Sequence, residues 1–290
     1  MKIYCIIVCY QPNLNSLMTL CQAILESDAK VILVDNSENC YILKIAELNG
    51  IELMHLEGNQ GIAKAQNVGI KLALESHADV IVFFDQDSEI SNDFLSKLTA
   101  SLKVDEPKVV SPVFYDKALD FKFPNYKLNR FGLTKKIVAA NENNLINVDV
   151  IISSGSAATK KTFEIVGLMD EDFFIDFVDT EWALRCKAKG IPILVVPNAV
   201  MKHTIGEKSI NLLIIRMFVH SPVRTYYKVR NSFIFIRKKD VPILFGTKEI
   251  ISALLLNFFM IIAVENKWNY LKNYFQGIMD GIFGRVGKKL

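Results

Sequence analysis

The chain has 290 residues, 51% of them hydrophobic and 22% charged, with only 14 Gly and 8 Pro, which excludes disordered, collagenous and low-complexity architectures and leaves room for one large or two small domains. The formal net charge is +3, yet residues 202–290 carry 15 basic against 5 acidic side chains, while residues 1–201 carry 19 against 26. The shorter, carboxy-terminal part is therefore suited to an anionic surface.

Residues 3–9 form a nearly continuous apolar run, as expected of a strand buried on both faces in a parallel sheet. The run is too short for a signal peptide and lacks a small-residue cleavage site, so export is not expected. A polar turn, Gln11-Pro12-Asn13-Leu14-Asn15, leads into a helical pattern. Further apolar runs at 31–34, 51–56 and 80–84 alternate with amphipathic stretches at 41–48 and 61–76. This rhythm predicts an α/β fold, a doubly wound and mostly parallel sheet flanked by helices. Farther along, the pattern predicts a helix near 92–102, a strand near 108–114, a loop-rich stretch over 115–145, a strand near 146–152, a helix over 180–189 and a strand at 191–196. After about residue 200 the chain reads as helical, without strand signals. The expected division is a catalytic domain over 1–205 and a helical extension over 206–290 packed on it. Five cysteines, with no CxxC pair, read as reduced and mostly buried thiols in a cytosolic protein.

Ligands of open parallel sheets bind outside the carboxyl ends of the strands. The residues there are Tyr10, then Asp35-Asn36-Ser37, Asn59-Gln60-Gly61 and Asp85-Gln86-Asp87-Ser88. Asp85 and Asp87, two apart, project to the same side and make a hard-oxygen pair for Mg²⁺ or Mn²⁺ together with substrate phosphates. An Asp-x-Asp after a strand serves a solvated turn equally well. Ionised Asp35 is acceptor-only and suits the ring N–H of a pyrimidine base, although Asp-Asn-Ser taken alone is more often a turn or helix cap. Gly61, opening an amphipathic stretch, lets the backbone approach a ligand.

In order along the chain, Cys9-Tyr10-Gln11-Pro12, Val34-Asp35-Asn36-Ser37, Asn59-Gln60-Gly61-Ile62-Ala63, Phe84-Asp85-Gln86-Asp87-Ser88, Ser154-Gly155-Ser156, the stretch from Phe174 to Arg185, His203 to Gly206, and Tyr226-Tyr227-Lys228-Val229-Arg230-Asn231 resemble glycosyltransferase family 2 with its GT-A fold, and particularly its bacterial rhamnosyltransferase branch. The resemblance spans roughly 220 residues, and ordered motifs over that length are far more specific than any one of them. It implies an inverting sugar transfer that depends on Mg²⁺ or Mn²⁺. By the same resemblance Asp35 would recognise the nucleotide base, with Tyr10, Asn36 and Gly61 also on the donor. Asp85 and Asp87 would form the metal-diphosphate motif, with Asp87 in direct metal contact and His203 as a further ligand. Gly155 and Ser156 would approach the donor sugar, and Arg230 would hold the diphosphate. Many relatives have Glu-Asp where this chain has Val178-Asp179, so Asp179 inherits the role of catalytic base, assisted by Asp176 or Glu181. Gln66 stands where many relatives have Arg. The resemblance further implies dTDP-rhamnose as donor and a lipid-linked glycan as acceptor.

Residues 250–264 form the longest apolar stretch, broken only by Ser252 and Asn257 and too short for the roughly 20 residues of a membrane-spanning helix. Trp268, Tyr270, Tyr274 and Phe275, followed by Arg285, Lys288 and Lys289, suit a membrane interface, and equally a helix packed on the catalytic domain or in a homo-oligomer. With the basic balance of this region, the expectation is a cytoplasmic protein peripheral to the inner face of the cell membrane. Nucleic acid is not an expected partner, because no binding motif is present and the strand-end site is acidic. A haloacid dehalogenase-type phosphatase also ends a strand in Asp-x-Asp but carries Thr where this chain has Glu89. A dinucleotide-binding enzyme needs a GxGxxG that the first strand does not precede. The non-enzymatic alternative is a membrane-peripheral scaffold with structural carboxylates.

Overall fold

The computed structural model describes residues 1–116, 121–138, 144–202, 209–212 and 215–289. In chain order the elements are β1 (Ile3–Cys9), α1 (Leu14–Leu25), β2 (Lys30–Asp35), α2 (Leu43–Ala46), β3 (Ile51–His55), α3 (Ile62–Glu75), β4 (Val80–Asp85), α4 (Phe94–Thr99), β5 (Val109–Asp116), β6 (Phe121–Lys122), β7 (Asn125–Leu128), β8 (Thr134–Ile137), β9 (Ile146–Val148), β10 (Ala157–Thr159), α5 (Lys160–Val166), α6 (Val178–Ala188), β11 (Ile193–Lys202), β12 (Ser209–Leu212), β13 (Ile215–Phe218), α7 (Pro222–Phe235), α8 (Ile243–Ala263) and α9 (Lys267–Ile282).

The main sheet runs β3-β2-β1-β4-β10-β5-β11-β9, with β6 beside β5. Strands β3, β2, β1 and β4 are mutually parallel, and β5 pairs in parallel with β11. Strand β10 joins these two blocks and is antiparallel to both neighbours. The continuous apolar runs follow from coverage on both faces. Tyr4, Ile6, Ile32, Val34, Ile81 and Phe83 point into one core layer, and Cys5, Ile7, Val31, Leu33, Val82 and Phe84 into the other. Each such side chain contributes about 1.5–3 kcal/mol on leaving water, so alternation with polar residues would be costly here. The cysteines are all free thiols, four buried and Cys40 half-buried.

The first four strands lie where the sequence predicts them. Two expectations fail. Residues 115–145, read as loop, contain β6 and the β7–β8 hairpin; their strands are two to four residues long and largely outside the core layers, so the alternation is too brief to read. The region after 200, read as free of strands, begins with the β12–β13 hairpin. Strand β11 continues to Lys202 across a register shift between Val196 and Val200, where Pro197 interrupts the apolar run.

Helices α7, α8 and α9 pack on one another around Val229, Met260, Ile261, Tyr270 and Tyr274. They also grip the segment preceding α6. Tyr227 stacks on Phe174 with ring centroids 4.8 Å apart, and the Asn231 amide donates to the Ile175 carbonyl at 2.6 Å. Helix α8 extends seven residues ahead of the apolar stretch, and its 21 residues are long and apolar enough, by length and composition, to cross a membrane.

Candidate active site

A cavity of about 910 Å³ opens at the carboxyl ends of the strands, between the sheet, the start of α6 and helices α7 and α8. Its strand-end wall includes Tyr10, Asn36, Asn59, Gly61, Asp85, Gln86 and Asp87. Side-chain amides hold these loops together. Gln86 accepts from the Tyr10 backbone N–H at 2.7 Å and donates back to the Tyr10 carbonyl at 3.2 Å, clamping the end of β1 to the end of β4. Asn36 accepts the Gln60 N–H at 2.7 Å and donates to Asn59 Oδ1 at 3.2 Å, which fixes the loop leading into α3. That loop ends at Gly61, with φ +88° and an ideal Cβ position only 2.6 Å from the Phe174 carbonyl oxygen, so no side chain fits.

The α6 side contributes Asp176, Phe177, Val178, Asp179 and Thr180. Asp176 and Phe177 are consecutive non-glycine residues at φ +63° and +66°, a strained entry to a helix and a frequent mark of functional sites. The Asn231 contact to Ile175 and an ion pair from Arg224 Nη2 to Asp176 Oδ1 at 3.2 Å hold that entry in place. Asp179 lies in the first turn of α6, its Oδ2 accepting the Ser153 N–H at 3.1 Å and its Oδ1 the Thr180 N–H at 2.8 Å. Burial holds its carboxyl above the usual carboxylate range; the two amides oppose that rise and nearby Asp176 adds to it. A raised carboxylate next to a cavity is a better proton acceptor than an exposed one.

Of the residues expected at the site, Tyr10, Asn36, Gly61, Asp85, Asp87 and Asp179 line the cavity, and Asp176 joins them. Five others do not. Asp35 is fully buried behind the wall, accepting the Ser37 N–H at 3.1 Å and lying 3.2 Å from His55 Nδ1. Gly155 has φ +71°, but its missing side chain makes room for Pro112 and Met201 rather than for a ligand. Ser156 is buried and donates to the Ser153 carbonyl at 2.7 Å. Glu181 accepts from Arg185 Nε at 2.9 and 3.0 Å, and Arg185 in turn donates to the Val166 and Leu168 carbonyls, so the pair ties down the segment after α5. Arg230 is also fully buried. Its guanidinium donates to the Gly287 carbonyl at 2.6 Å, the Asp172 carbonyl at 3.3 Å and the Asn231 side chain at 2.9 Å. It therefore braces α7 and the carboxy-terminal segment rather than facing the cavity. His203 lies outside the described residues.

The cations on the wall are Arg224 and Lys228, with His220 in contact with Lys228. Their spacing was a usable signal. At about 100° per residue, positions four apart share a helix face, whereas Arg230, six beyond Arg224, points elsewhere.

Two groups suit a metal. Asp85 and Asp87 present exposed carboxylates to the cavity, hard donors of the kind Mg²⁺ and Mn²⁺ take. Asp35, Cys40 and His55 bring one ligand atom each within 4.8 Å of one another behind the wall, a softer set better matched to Zn²⁺ than to Mg²⁺.

Residues 4–174 match the family model described as Glycosyl transferase family 2. The chain is 41% identical to a dTDP-rhamnosyl transferase, RfbF, of Shigella flexneri over 287 residues, 99% of this chain and 97% of the relative. Among solved structures it resembles TarS of S. aureus in complex with UDP-GlcNAc, with TM-score 0.57, 17% identity and coverage of 98% of this chain and 82% of that one. It also resembles GalNAc-T7 with UDP, GalNAc and Mn²⁺, with TM-score 0.58, 13% identity and coverage of 91% of this chain and 57% of that one. These likenesses place the fold among the GT-A glycosyltransferases. With more than half of its length matched by the family model and a full-length relative at 41% identity, the chain belongs to glycosyl transferase family 2.

Proposed function

We propose that the protein is a metal-dependent inverting rhamnosyltransferase that moves L-rhamnose from dTDP-β-L-rhamnose to a hydroxyl of a lipid-linked glycan in bacterial polysaccharide assembly. The observation that carries the donor is the 41% identity to the Shigella dTDP-rhamnosyl transferase across essentially the whole of both chains.

In this reaction the acceptor oxygen attacks the anomeric carbon, the bond from that carbon to the diphosphate breaks, and the hydroxyl proton passes to Asp179. Its position at the cavity and its raised proton affinity support that role, which is worth about 10²- to 10⁴-fold in rate. Asp85 and Asp87 would hold the divalent cation, Mg²⁺ or Mn²⁺, which when bound supplies charge stabilisation to the departing diphosphate. Arg224 and Lys228 offer positive charge to that diphosphate from the α7 side of the cavity, the role expected of Arg230. With Asp35 enclosed by His55, the base end of the donor meets Asn36, Asn59 and the half-exposed ring of Tyr10, which can stack on a pyrimidine.

The same proposal places the protein at the cytoplasmic face of the membrane. Ile251, Leu255, Phe258 and Ile262 of α8 and Trp268 and Phe275 of α9 are exposed apolar side chains, and Lys267, Lys272, Arg285 and Lys288 add positive charge nearby in the chain.

Calorimetric titration with dTDP-rhamnose, UDP-glucose, UDP-galactose and UDP-N-acetylglucosamine, with and without Mn²⁺, tests the donor. Selective, metal-dependent binding of dTDP-rhamnose is expected. Tighter binding of a UDP-sugar would overturn the rhamnose assignment, and absence of nucleotide binding would favour the scaffold.

A further inference from the structure

Helix α8 supplies a part of the cavity wall to which the donor reading gives no role. Glu249, Ser252, Ala253, Leu256, Asn257 and Met260 of α8 line it. Their steps of three, four, seven, eight and eleven residues from Glu249 trace one face of a helix. Exposed Ile251, Leu255, Phe258 and Ile262 follow a different stripe of the same helix, so α8 is two-faced, with a mixed stripe toward the cavity and an apolar stripe outward.

The chemistry of the inner stripe is that of a sugar site. Glu249 and Ser252 offer a carboxylate and a hydroxyl to ring hydroxyls, and Asn257, whose amide nitrogen donates to the Ala253 carbonyl at 2.7 Å, offers its amide oxygen, while Ala253, Leu256 and Met260 offer apolar surface to the C–H faces of a pyranose. Glu249 is half-buried, 3.8 Å from Lys248, and burial raises its carboxyl above the usual range. The α8 residues that line the cavity include no Lys or Arg, whereas α7 supplies Arg224 and Lys228, so the α8 stripe suits a neutral ligand rather than the charged part of the donor. A cavity of about 910 Å³ lies near the upper end of the range for one small-molecule ligand and has room for a second sugar ring.

We infer that the cavity-facing stripe of α8 is the acceptor subsite, binding the terminal sugar ring of the acceptor glycan. The inference rests on the transferase reading given above. Attack opposite the leaving diphosphate requires the acceptor to occupy a region separate from the strand-end acids, and α8 supplies one. The outward apolar stripe of the same helix places a lipid-linked acceptor's sugar at the cavity while its tail stays in the leaflet.

The test uses the full chain with dTDP and Mn²⁺ present and saturation-transfer NMR with n-octyl glucoside, n-octyl galactoside, n-octyl rhamnoside and n-octyl N-acetylglucosaminide below their micelle concentrations, with n-octanol as a sugar-free control. Wild type is expected to bind at least one glycoside, with octanol failing to displace it. Ser252→Trp, which fills the stripe, should abolish that binding, and the isosteric Glu249→Gln should weaken it by about tenfold. Both variants should keep dTDP-rhamnose affinity within about twofold of wild type by calorimetry. Glycoside binding that survives in both variants, displacement by octanol, or absence of glycoside binding to wild type overturns the subsite. So does parallel loss of dTDP-rhamnose binding in the two variants, which would make the stripe a donor wall. Failure of wild type itself to bind any nucleotide sugar would instead overturn the transferase reading.

Discussion

Asp179 and Arg230 illustrate how differently two functional expectations fare at the level of single residues. Asp179 faces the cavity with its proton affinity raised, so Asp179→Asn is expected to reduce transfer by about 10²- to 10⁴-fold while donor affinity stays within a few fold. Because the base works only when ionised, a raised affinity moves the acid limb of the kcat profile above the ordinary carboxylate range near 4. Activity is then lost as pH falls through that limb, and a limb at or below the ordinary value would count against Asp179. Arg230 is fully buried, bonded to two backbone carbonyls, and its guanidinium carbon lies 4.9 Å from the Tyr227 ring centroid. Arg230→Met should therefore destabilise the fold, by about 3 kcal/mol, with little change in donor affinity per folded molecule; denaturant unfolding beside calorimetry separates the two effects. Both residues were legible as members of motifs. Which of them lines the cavity was not, because a motif specifies residue type and order while burial depends on what packs above it.

At the scale of elements, the strand-end loops and helix α8 carry the most specific consequences. Asp87→Ala, or chelation of divalent cations, is expected to remove the metal-dependent part of donor binding while leaving far-UV dichroism unchanged, since Asp87 is exposed on its loop. The loop into α3 is less tolerant. Gly61→Ala combines a positive φ with a clash at 2.6 Å against the Phe174 carbonyl and should cost about 1–3 kcal/mol in an unfolding titration. Sequence periodicity located α3 and α6 to within a few residues, since their termini coincide with abrupt changes of polarity. It misjudged α8, because Ser252 and Asn257 read as interruptions of an apolar stretch although they belong to one cavity-facing stripe. Leu255→Glu with Phe258→Glu, on the outward stripe, is expected to lower sedimentation with anionic phosphatidylglycerol vesicles by about tenfold or more. Unchanged sedimentation would assign that face to a protein contact instead.

At the scale of the whole molecule, the helical extension supplies part of the cavity wall. Helix α7 supplies Arg224 and Lys228, α8 supplies the Glu249 stripe, and Asn231 and Tyr227 pin the strained segment that leads to Asp179. Residues 1–205 expressed alone would expose Phe174 and leave the entry to α6 without its brace. Such a fragment is expected to lose donor binding and to unfold at lower denaturant than the full chain; a fragment that binds dTDP-rhamnose with full affinity would show that the extension serves another purpose. The expected boundary near 205 thus marks a change of composition in the sequence, whereas the cavity draws its wall from both sides of it.

The sequence by itself determined the parallel core of the sheet, the positions of its loops and the acids at their ends, because burial on both faces requires uninterrupted apolar strands and leaves polar residues only at their termini. Only the tertiary structure decided which polar residues meet in the cavity. The pairing of Asp35 with His55, the turning of Arg230 toward Asp172 and Gly287, and the arrival of α8 at the cavity that Asp179 lines all depend on contacts between segments distant in the chain, and local periodicity carries no information about such contacts.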